Sequence, residues 1–280
     1  MIKNKPKVSI IVYSSDQYAD CWDPFFTLFK KNFSTRYEHE ILLLNNTKEF
    51  SVKDLEIRVI KCGKNTIWSK RLQTGLLQAK YELIFLIGDD FFLLSKMNPA
   101  HFEEQIENII HKNKIDHIRL LHKPDKFKTE KSGFSNLEKI SKYTKYRFLF
   151  APGLWKKKAL LNYLVDFESP FMAEKMGTYR SWILDDGFYC LSKEFISVNG
   201  RLYDCGSSGV IVKGKWASWS VPLLNNENLG INFDKRGIRK EEEKKSAMNA
   251  ARLHQVKNFR STLKSYLSVL RLSIMTALNK

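Results

Sequence analysis

The stretch YELIFLIGDDFFL, from Tyr81 to Leu93, places two adjacent acids directly after an apolar run. The run is too short for an amphipathic helix and is rich in Leu, Ile and Phe, which predicts a strand buried on both faces. Asp89 and Asp90 then stand at the carboxyl end of that strand. Because ligands bind at this edge of an open α/β sheet, the acids predict a site for a cation or a metal-bound phosphate, with a solvated Asp-Asp turn as the alternative.

Four more apolar runs predict strands, and helical patterns lie between several of them. The strand runs cover residues 8–14, 40–46, 57–62 and 117–123, in addition to 82–88. Helices are predicted at DPFFTLFKKNF, with Asp23 as N-cap and Pro24 at the first helical position, at WSKRLQTGLLQA, and at NPAHFEEQIENII, with Asn98 as N-cap. Strands that alternate with helices predict an α/β fold with a mostly parallel sheet flanked by helices.

The composition is that of a folded and strongly basic protein. The chain has 280 residues, of which 43% are hydrophobic and 28% charged, and its formal net charge is +17. Its four cysteines show no CxxC pair, which predicts reduced thiols. The apolar run near the N-terminus is too short for a secretion signal, and no run approaches roughly 18 apolar residues. We therefore expect a cytoplasmic protein.

The positive charge is concentrated towards the C-terminus, where the chain has 12 Lys or Arg and 3 Glu from Lys235 onward. Apolar residues there recur at steps of three or four, which predicts one stripe along a helix. The stripe consists of Leu253, Val256, Phe259, Leu263, Leu267, Leu270, Ile274 and Leu278. Basic residues border it, as a helix lying on an anionic membrane surface requires. Docking on the protein's own domain or in a homodimer is the alternative.

Together these stretches resemble GT-A glycosyltransferases, the nucleotide-sugar-dependent kind common in bacterial polysaccharide and lipooligosaccharide assembly. VSIIVYSSD resembles the first strand and nucleotide-binding loop of that family, EILLLNNT its second strand, and RLQTGLLQAKYELIFLIGDDFFL the helix and strand that lead into its DXD motif. SPFMAEKMGTYR resembles the acceptor-side region of certain bacterial members, and VIVKGKW their late loop. The resemblance implies a GT-A-like (Rossmann-like) domain at residues 1–236, and the periodic pattern predicts a basic amphipathic helical tail at 237–280, outside the resemblance.

The resemblance implies a donor-binding role for residues at the ends of these strands and at the start of the helix before the motif. They are Ser14, Ser15, Asp16, Asn45, Asn46, Lys70, Arg71 and Asp89. An Asn stands here where the second strand of the family usually offers an acid. Arg71 falls in register with the Arg that usually starts the helix, and arginine is a bidentate partner for phosphate. Ordinary turn and solvated helix positions are the alternative for these residues.

The resemblance also implies a metal site and a catalytic base. Asp89 and Asp90 are the expected ligands of Mg²⁺ or Mn²⁺, which neutralises charge on a leaving diphosphate, although Ile87 replaces the first acid of the DXD pattern. Glu174 is expected to deprotonate the acceptor hydroxyl in an inverting reaction. Asp185 or Asp186 in WILDDGFYC is the alternative base, and the sequence leaves that choice open.

Tryptophans provide candidate stacking surfaces for sugar rings, with core packing as the alternative. They are Trp155, Trp182, Trp216 and Trp219.

These features predict a glycosyltransferase that moves a sugar from a nucleotide-sugar donor to a hydroxyl of a glycan or lipid-linked acceptor. The expected setting is bacterial surface polysaccharide synthesis, such as capsule or lipopolysaccharide, at the inner face of the cell membrane. The alternative is a basic nucleic-acid-binding protein without catalytic activity, since a charge of +17 suits a phosphate backbone. We favour the enzyme and expect no nucleic acid partner, because no binding motif interleaves the basic residues with aromatics.

Overall fold

The computed structural model describes residues 6–121, 127–206, 208–239 and 259–278. The strands, numbered β1 to β12 in chain order, are Lys7–Tyr13, Glu38–Asn45, Arg58–Lys61, Leu83–Gly88, His117–Arg119, Thr129–Lys131, Leu137–Ile140, Gly153–Lys156, Phe188–Leu191, Ile211–Val212, Lys215–Ala217 and Ile238–Arg239. The helices, numbered α1 to α8, are Ala19–Asn32, Trp68–Gln78, Pro99–His111, Lys157–Leu161, Pro170–Ile183, Lys193–Asn199, Val221–Asn226 and Phe259–Leu278. Two 3-10 turns cover Asp16–Tyr18 and Phe233–Lys235.

Within these ranges, nine strands form one sheet in the order β3-β2-β1-β4-β8-β5-β9-β7-β6. The expected α/β fold with a helix-flanked sheet is confirmed. The half that contains β1 to β4 is parallel throughout. In the other half, β8 runs antiparallel to β4 and β5, and β7 runs antiparallel to β6 and β9, while β5 and β9 are parallel. The sheet is therefore mixed: β8 lies between β4 and β5, which both precede it in the chain, and it runs antiparallel to both.

Strand β4 is buried on both faces, as its apolar run predicted, and all six of its residues are buried. Leu83, Phe85 and Ile87 pack in the core layer that includes α1 and α3. Ile84 and Leu86 point the other way, into the layer that includes α2 and Trp155. The two acids that follow β4 lie in a turn and have different neighbours, Ser14 for Asp89 and Gly209 for Asp90. The edge that follows Gly88 is therefore held rigidly between two packed layers.

The predicted helix starts agree with the structure in two places and differ in one. Asn98 caps α3 by accepting hydrogen bonds from the amides of Ala100 at 3.0 Å and His101 at 3.3 Å. The α2 helix begins at Trp68, as expected. Asp23, however, is not an N-cap, because α1 begins at Ala19 and has Pro24 in its interior. The 3-10 turn before it leads straight into the helix, and the buried Cys21 and Trp22 extend its apolar face upstream.

The predicted strand at 117–123 is shorter in the structure, where β5 ends at Arg119. Its last residues lie outside the described part of the chain. At the other end, β12 pairs with β11 in a small three-stranded sheet, so regular structure continues to Arg239.

The C-terminal helix α8 packs on α5 through a face of small and polar residues. The docked face comprises Thr262, Ser265, Ser268, Val269, Leu272 and Thr276, the less exposed residues of the helix. Arg180 of α5 donates to the hydroxyl of Ser268 at 3.5 Å, and the rings of Tyr179 and Tyr266 lie 6.4 Å apart.

The predicted apolar stripe lies on the opposite side of α8. Leu263, Leu267, Leu270, Ile274 and Leu278 are between 48% and 80% exposed. Leu253 and Val256, also assigned to the stripe, lie outside the described residues, as does the side chain of Phe259. Among the helices that the structure describes, none has the length and apolar character needed to cross a membrane.

A buried ion pair joins the segment just before α5 to the last turn of that helix. Arg180 and Glu168 approach to 2.5 Å, and their side chains are 3% and 0% exposed. Arg180 also donates to the carbonyl of Tyr163 at 3.0 Å, so its charge is held by several acceptors at once. Because removing one partner of such a pair leaves the other charged and buried, α5 depends on this contact.

We expect Glu168→Ala to lower the free energy of unfolding by about 3–5 kcal/mol, because it leaves the buried Arg180 charge without its carboxylate. Urea denaturation of the full chain measures this. The control is Glu82→Ala, which removes an ion pair with Lys157 of 2.8 Å whose glutamate is 80% exposed. That variant should lose less than about 1 kcal/mol. Equal losses in the two variants would contradict the importance of the buried pair.

Candidate active site

The loops that follow β1, β2 and β4 meet at one edge of the sheet. The parallel register places Tyr13 of β1 beside Leu44 of β2 and Gly88 of β4. Main-chain hydrogen bonds continue this pairing past the strand ends, from the Ser14 amide to the Leu44 carbonyl at 2.9 Å and from the Asp89 amide to the Tyr13 carbonyl at 3.4 Å. The predicted donor-binding residues of the first two strands therefore border the predicted acids.

Asp89 lies inside the fold at this edge. Its carboxylate accepts a short hydrogen bond from the Ser14 hydroxyl, which in turn accepts from the indole of Trp22 at 2.7 Å. Asp89 is 5% exposed. Burial, with a contribution from the neighbouring Asp90 charge, raises the pKa of Asp89 well above its ordinary value. Asp89 thus anchors the first loop to the end of β4.

Asp90 points the other way and is the more accessible of the two acids. Its carbonyl accepts from the amide of Val210 at 2.7 Å, so the late loop folds over it. Gly209 packs so closely that a side chain at this position would collide with the Asp90 carboxylate. Burial, together with the charge of Glu174, raises the pKa of Asp90 to about 7. The predicted late loop is therefore part of the site.

Glu174 reaches the same region from α5. Its carboxylate accepts from the amide of Phe150 at 3.0 Å. Burial raises the pKa of Glu174, while the Phe150 amide and the nearby Arg119 act in the opposite direction. A carboxylate with a raised pKa is a stronger base, which suits proton abstraction from a hydroxyl.

Tyr13 lies among these acids, although its position in the sequence predicted only the end of a strand. Its hydroxyl donates to the carbonyl of Phe150 at 2.7 Å. Burial raises the pKa of Tyr13 well above its ordinary value, and the charges of Asp90, Glu174 and Asp89 raise it further. The structure therefore brings the two predicted acids and the preferred base together around one half-buried phenol.

Asp16 and Asn46 join the first two loops to each other. Asp16 accepts from the amides of Asn46 at 3.0 Å and Thr47 at 3.1 Å, and Asn46 accepts from the Asp16 amide at 3.4 Å. Although partial burial acts in the opposite direction, these hydrogen bonds lower the pKa of Asp16. Ser15 accepts from the amide of Tyr18 at 2.8 Å and starts the 3-10 turn. Asp16 thus forms an acidic corner at the edge of the sheet.

Asn45 and the two basic candidates have different surroundings. Asn45 is fully buried and donates to the carbonyl of Lys48 at 2.7 Å, which leaves its side-chain oxygen without a hydrogen-bond partner in the described structure. Arg71 donates to the carbonyl of Thr66 at 2.5 Å. Burial lowers the pKa of Arg71, while Cys62 and the charges of Asp16 and Asp89 act in the opposite direction. Lys70 is exposed and lies 3.6 Å from Asp166. Arg71 borders the acidic edge, whereas Lys70 faces solvent.

The structure separates Asp185 and Asp186 from this cluster. Asp185 is fully exposed and its carboxylate lies 3.6 Å from Lys142. Asp186 accepts from the hydroxyl of Tyr163 at 2.7 Å, and burial raises its pKa. Neither acid lines the two cavities that contain Glu174. The geometry therefore favours Glu174 as the candidate base.

Two cavities meet at Glu174 and Tyr146. The first, of about 210 Å³, is lined by Phe91, Arg119, Leu121, Phe127, Tyr146, Leu149, Phe150, Ala151 and Glu174. The second, of about 290 Å³, is lined by Lys145, Tyr146, Phe171, Glu174, Lys175, Thr178, Tyr179 and Trp182. Of the four tryptophans, only Trp182 lines one of them. Trp155 and Trp216 are fully buried in the core, and Trp219 packs against it.

Sequence reasoning also missed Arg119 and Tyr146, which line the first cavity. An arginine inside the short apolar run HIRLL was a usable signal, because an unpaired charge is rarely buried. Tyr146 lies in a loop and has a positive φ of 59°, which the sequence did not indicate.

The residues present fit a weakly held divalent cation. Among the residues described, no three His, Cys, Asp or Glu side chains cluster as a metal site. Mg²⁺, however, is usually bound through one or two carboxylates and completes its shell with water and substrate phosphates. Asp90, with Asp89 behind it, provides such a pair at the edge where a phosphate would lie.

No protein-family model and no curated protein matches this chain. Among solved structures it is similar to GalNAc-T7 with UDP, GalNAc and Mn²⁺, at a TM-score of 0.50 and 7% identity, over 68% of this chain and 43% of that one. It is also similar to S. aureus TarS 1-349, at a TM-score of 0.44 and 13% identity, over 67% of this chain and 60% of that one. A third similar structure is the Pyrobaculum calidifontis mannosyltransferase PcManGT in complex with GDP-Man and Mn²⁺. Its TM-score is 0.45 and its sequence identity 11%, over 99% of this chain and 89% of that one.

The likeness to GalNAc-T7 concerns the fold alone. It shows that the chain has the GT-A glycosyltransferase fold that the sequence resemblance implied. The chain spans less than two thirds of the GalNAc-T7 and TarS structures.

The pKa of Asp90 gives a stability test. The folded state retains a proton that the unfolded chain loses near its ordinary pKa of 3.8, so stability falls as pH rises from about 4 to about 7. The full shift corresponds to about 4 kcal/mol. Because the carboxyl is partly exposed, we expect about half of this, so Asp90→Asn should be ~2 kcal/mol more stable than the wild type at pH 8 and equally stable at pH 4.

Urea denaturation in EDTA at the two pH values measures this difference. Asp185→Asn, which removes a fully exposed carboxylate, is the control for the loss of one charge. An Asp90→Asn variant that is less stable than the wild type at both pH values would contradict the inference that the fold destabilises the charged form of Asp90.

Proposed function

We propose that this chain is a nucleotide-sugar-dependent glycosyltransferase that transfers a sugar with inversion to a hydroxyl of a glycan or lipid-linked acceptor. The observation that carries the proposal is the convergence of Asp90 and Glu174 around Tyr13 at the carboxyl edge of β1, β2 and β4. This edge is where open α/β sheets bind nucleotides. The similar fold of GalNAc-T7, solved with UDP, GalNAc and Mn²⁺, supports the same class of donor.

In the proposed reaction, Glu174 takes the proton of the acceptor hydroxyl as its oxygen attacks the anomeric carbon of the donor. The new carbon–oxygen bond forms while the bond to the diphosphate breaks, and the electron pair leaves with the phosphate. Arg71 and the ordered loops around Asp16 border the nucleotide. A Mg²⁺ or Mn²⁺ ion held by Asp90 and Asp89 would neutralise the charge on the leaving diphosphate.

Donor binding can be measured by thermal shift of the full chain with UDP, GDP, CMP and dTDP sugars, with and without Mn²⁺. We expect at least one sugar nucleotide to raise the Tm by several degrees, because a ligand that binds only the folded state stabilises it. Asp90→Asn should lose the part of the shift that depends on Mn²⁺. Glu174→Gln should keep the shift and lose about 10²–10⁴-fold in transfer rate. No stabilisation by any of the sugars would count against the proposal.

We further propose that α8 binds an anionic membrane surface, which would place the enzyme at the inner face of the cell membrane in bacterial surface polysaccharide synthesis. The exposed stripe of Leu263, Leu267, Leu270, Ile274 and Leu278 faces away from α5. Lys264 and Arg271 are exposed beside it. Cations next to an apolar stripe allow a helix to reach headgroups and acyl chains together.

We expect the double substitution of Leu267→Asp and Leu270→Asp to weaken binding to vesicles of phosphatidylcholine and phosphatidylglycerol by about 10-fold or more, because each buried leucine contributes roughly 1.5–3 kcal/mol. Vesicle flotation measures this. Val198→Asp is the control, since Val198 is 81% exposed on α6.

Two results would overturn the membrane proposal. One is a wild-type chain that does not need phosphatidylglycerol for flotation. The other is a wild-type dimer that the double substitution converts to a monomer, which would assign the stripe to a second copy of the chain.

A further inference from the structure

Arg119 is a buried cation whose hydrogen-bonding capacity is only partly used. It lies on the central strand β5 and is 1% exposed. Its Nη2 atom donates to the carbonyls of Tyr146 at 2.8 Å and Arg147 at 2.9 Å. Its Nε and Nη1 atoms have no hydrogen-bond partner among the residues that the structure describes. A buried donor on a charged group without an acceptor is costly, and each such group needs an explanation.

Arg147 shows that the fold can satisfy a guanidinium in the same region. It is also 1% exposed, and it donates to the carbonyls of Ser181 at 2.7 Å, Asp186 at 2.9 Å and Ile140 at 3.3 Å. All three of its nitrogen atoms are therefore used. Arg180, the third of these buried arginines, lacks an acceptor only at its Nε atom and has the carboxylate of Glu168 as its partner. Arg119 differs from both because two of its nitrogen atoms have no acceptor and no carboxylate pairs with it in the described structure.

Arg119 lines the cavity of about 210 Å³ that it shares with Glu174. No carboxylate forms an ion pair with it in the described structure. Burial lowers its pKa to about 10, with only partial compensation from Cys190 and Glu174. The cavity thus contains a cation that is not neutralised by a direct partner.

The walls of this cavity suit a sugar. Phe91, Phe127, Tyr146 and Phe150 provide aromatic surfaces, and the guanidinium lies 4.6 Å from the ring of Phe127. The volume is below the roughly 300–1,000 Å³ of pockets for drug-sized ligands, which fits a single sugar residue. Glu174 lies at one side of the cavity, where the proposed reaction needs the acceptor hydroxyl.

We propose that this cavity is the acceptor subsite and that Arg119 binds a carboxylate or phosphate group of the acceptor sugar. The inference rests on the proposed function, because it identifies the base side of the same site. An oxyanion in the cavity accepts from Nη1 or Nε, the two nitrogen atoms without an acceptor in the described structure. The arrangement selects an acidic acceptor over a neutral one.

The test measures binding to the full chain without any donor, by isothermal titration with methyl β-glucuronide, glucose 1-phosphate and methyl β-glucoside. We expect one of the anionic sugars to bind about 10-fold or more tightly than the neutral one, as charge-assisted hydrogen bonds require. Arg119→Gln should abolish this preference. Glu174→Gln should tighten anion binding several-fold, since it removes a negative charge that faces the ligand.

Arg147→Gln is the matched control, because it removes an equally buried cation outside the cavity and should leave the preference unchanged. The preferred anion identifies the acceptor as a sugar acid or a sugar phosphate. Equal binding of all three sugars by the wild type overturns the proposal, and this comparison needs no variant to fold. Competitive displacement of the anionic sugar by UDP also overturns it, because the site would then belong to the donor. This comparison of the three sugars uses no donor. Its outcome is therefore independent of whether any sugar nucleotide raises the Tm.

Discussion

The hydrogen bond from the Tyr13 hydroxyl to the Phe150 carbonyl joins the two halves of the candidate site. Tyr13 ends β1 on the donor side, whereas the Phe150 amide holds Glu174 on the acceptor side. Desolvation of the half-buried Tyr13, and then the charges of three nearby carboxyls, raise the pKa of its phenol, so it remains neutral and donates. A neutral donor at this point links the halves without adding charge. Burial raises the pKa values of Asp89, Asp90 and Glu174, and for Asp89 and Asp90 an anionic neighbour raises the pKa further.

The sequence predicted the edge of the sheet where the candidate site lies, but not which later elements of the chain pack beside that edge. The apolar run of β4 and the Asn98 cap depend on local patterns, and both agree with the structure. The antiparallel pairing of β4 with β8 joins residues about 70 positions apart and leaves no local pattern. Likewise, in the turn after β4 Asp89 is buried against Ser14 whereas Asp90 is partly exposed, so adjacent acids have different surroundings. Which acid faces a ligand depends on packing that a motif does not encode.

Three buried arginines illustrate different ways of holding a charge inside this fold. Arg180 has a carboxylate, Glu168, at 2.5 Å, and Arg147 has main-chain carbonyls on every nitrogen. Both arrangements fix the elements around α5; Arg147 uses all of its nitrogen atoms, and Arg180 leaves only its Nε atom without an acceptor. Arg119 alone combines burial with unused donors and a cavity wall. Structural arginines and a ligand-binding arginine are thus distinguished by their hydrogen bonds, since their burial is the same.

Helix α5 connects the acceptor side to the C-terminal helix. Glu174 lines both cavities, while Lys175 and Tyr179 line the larger one and contact Tyr266 of α8. The apolar stripe faces away from α5, so a membrane bound to it lies beyond the full width of α8. An α-helix with its side chains is about 10–12 Å across. A lipid-linked acceptor must therefore extend a polar segment of at least about this length from the membrane before its hydroxyl meets Glu174. This distance favours an acceptor sugar that is separated from its lipid by other polar groups.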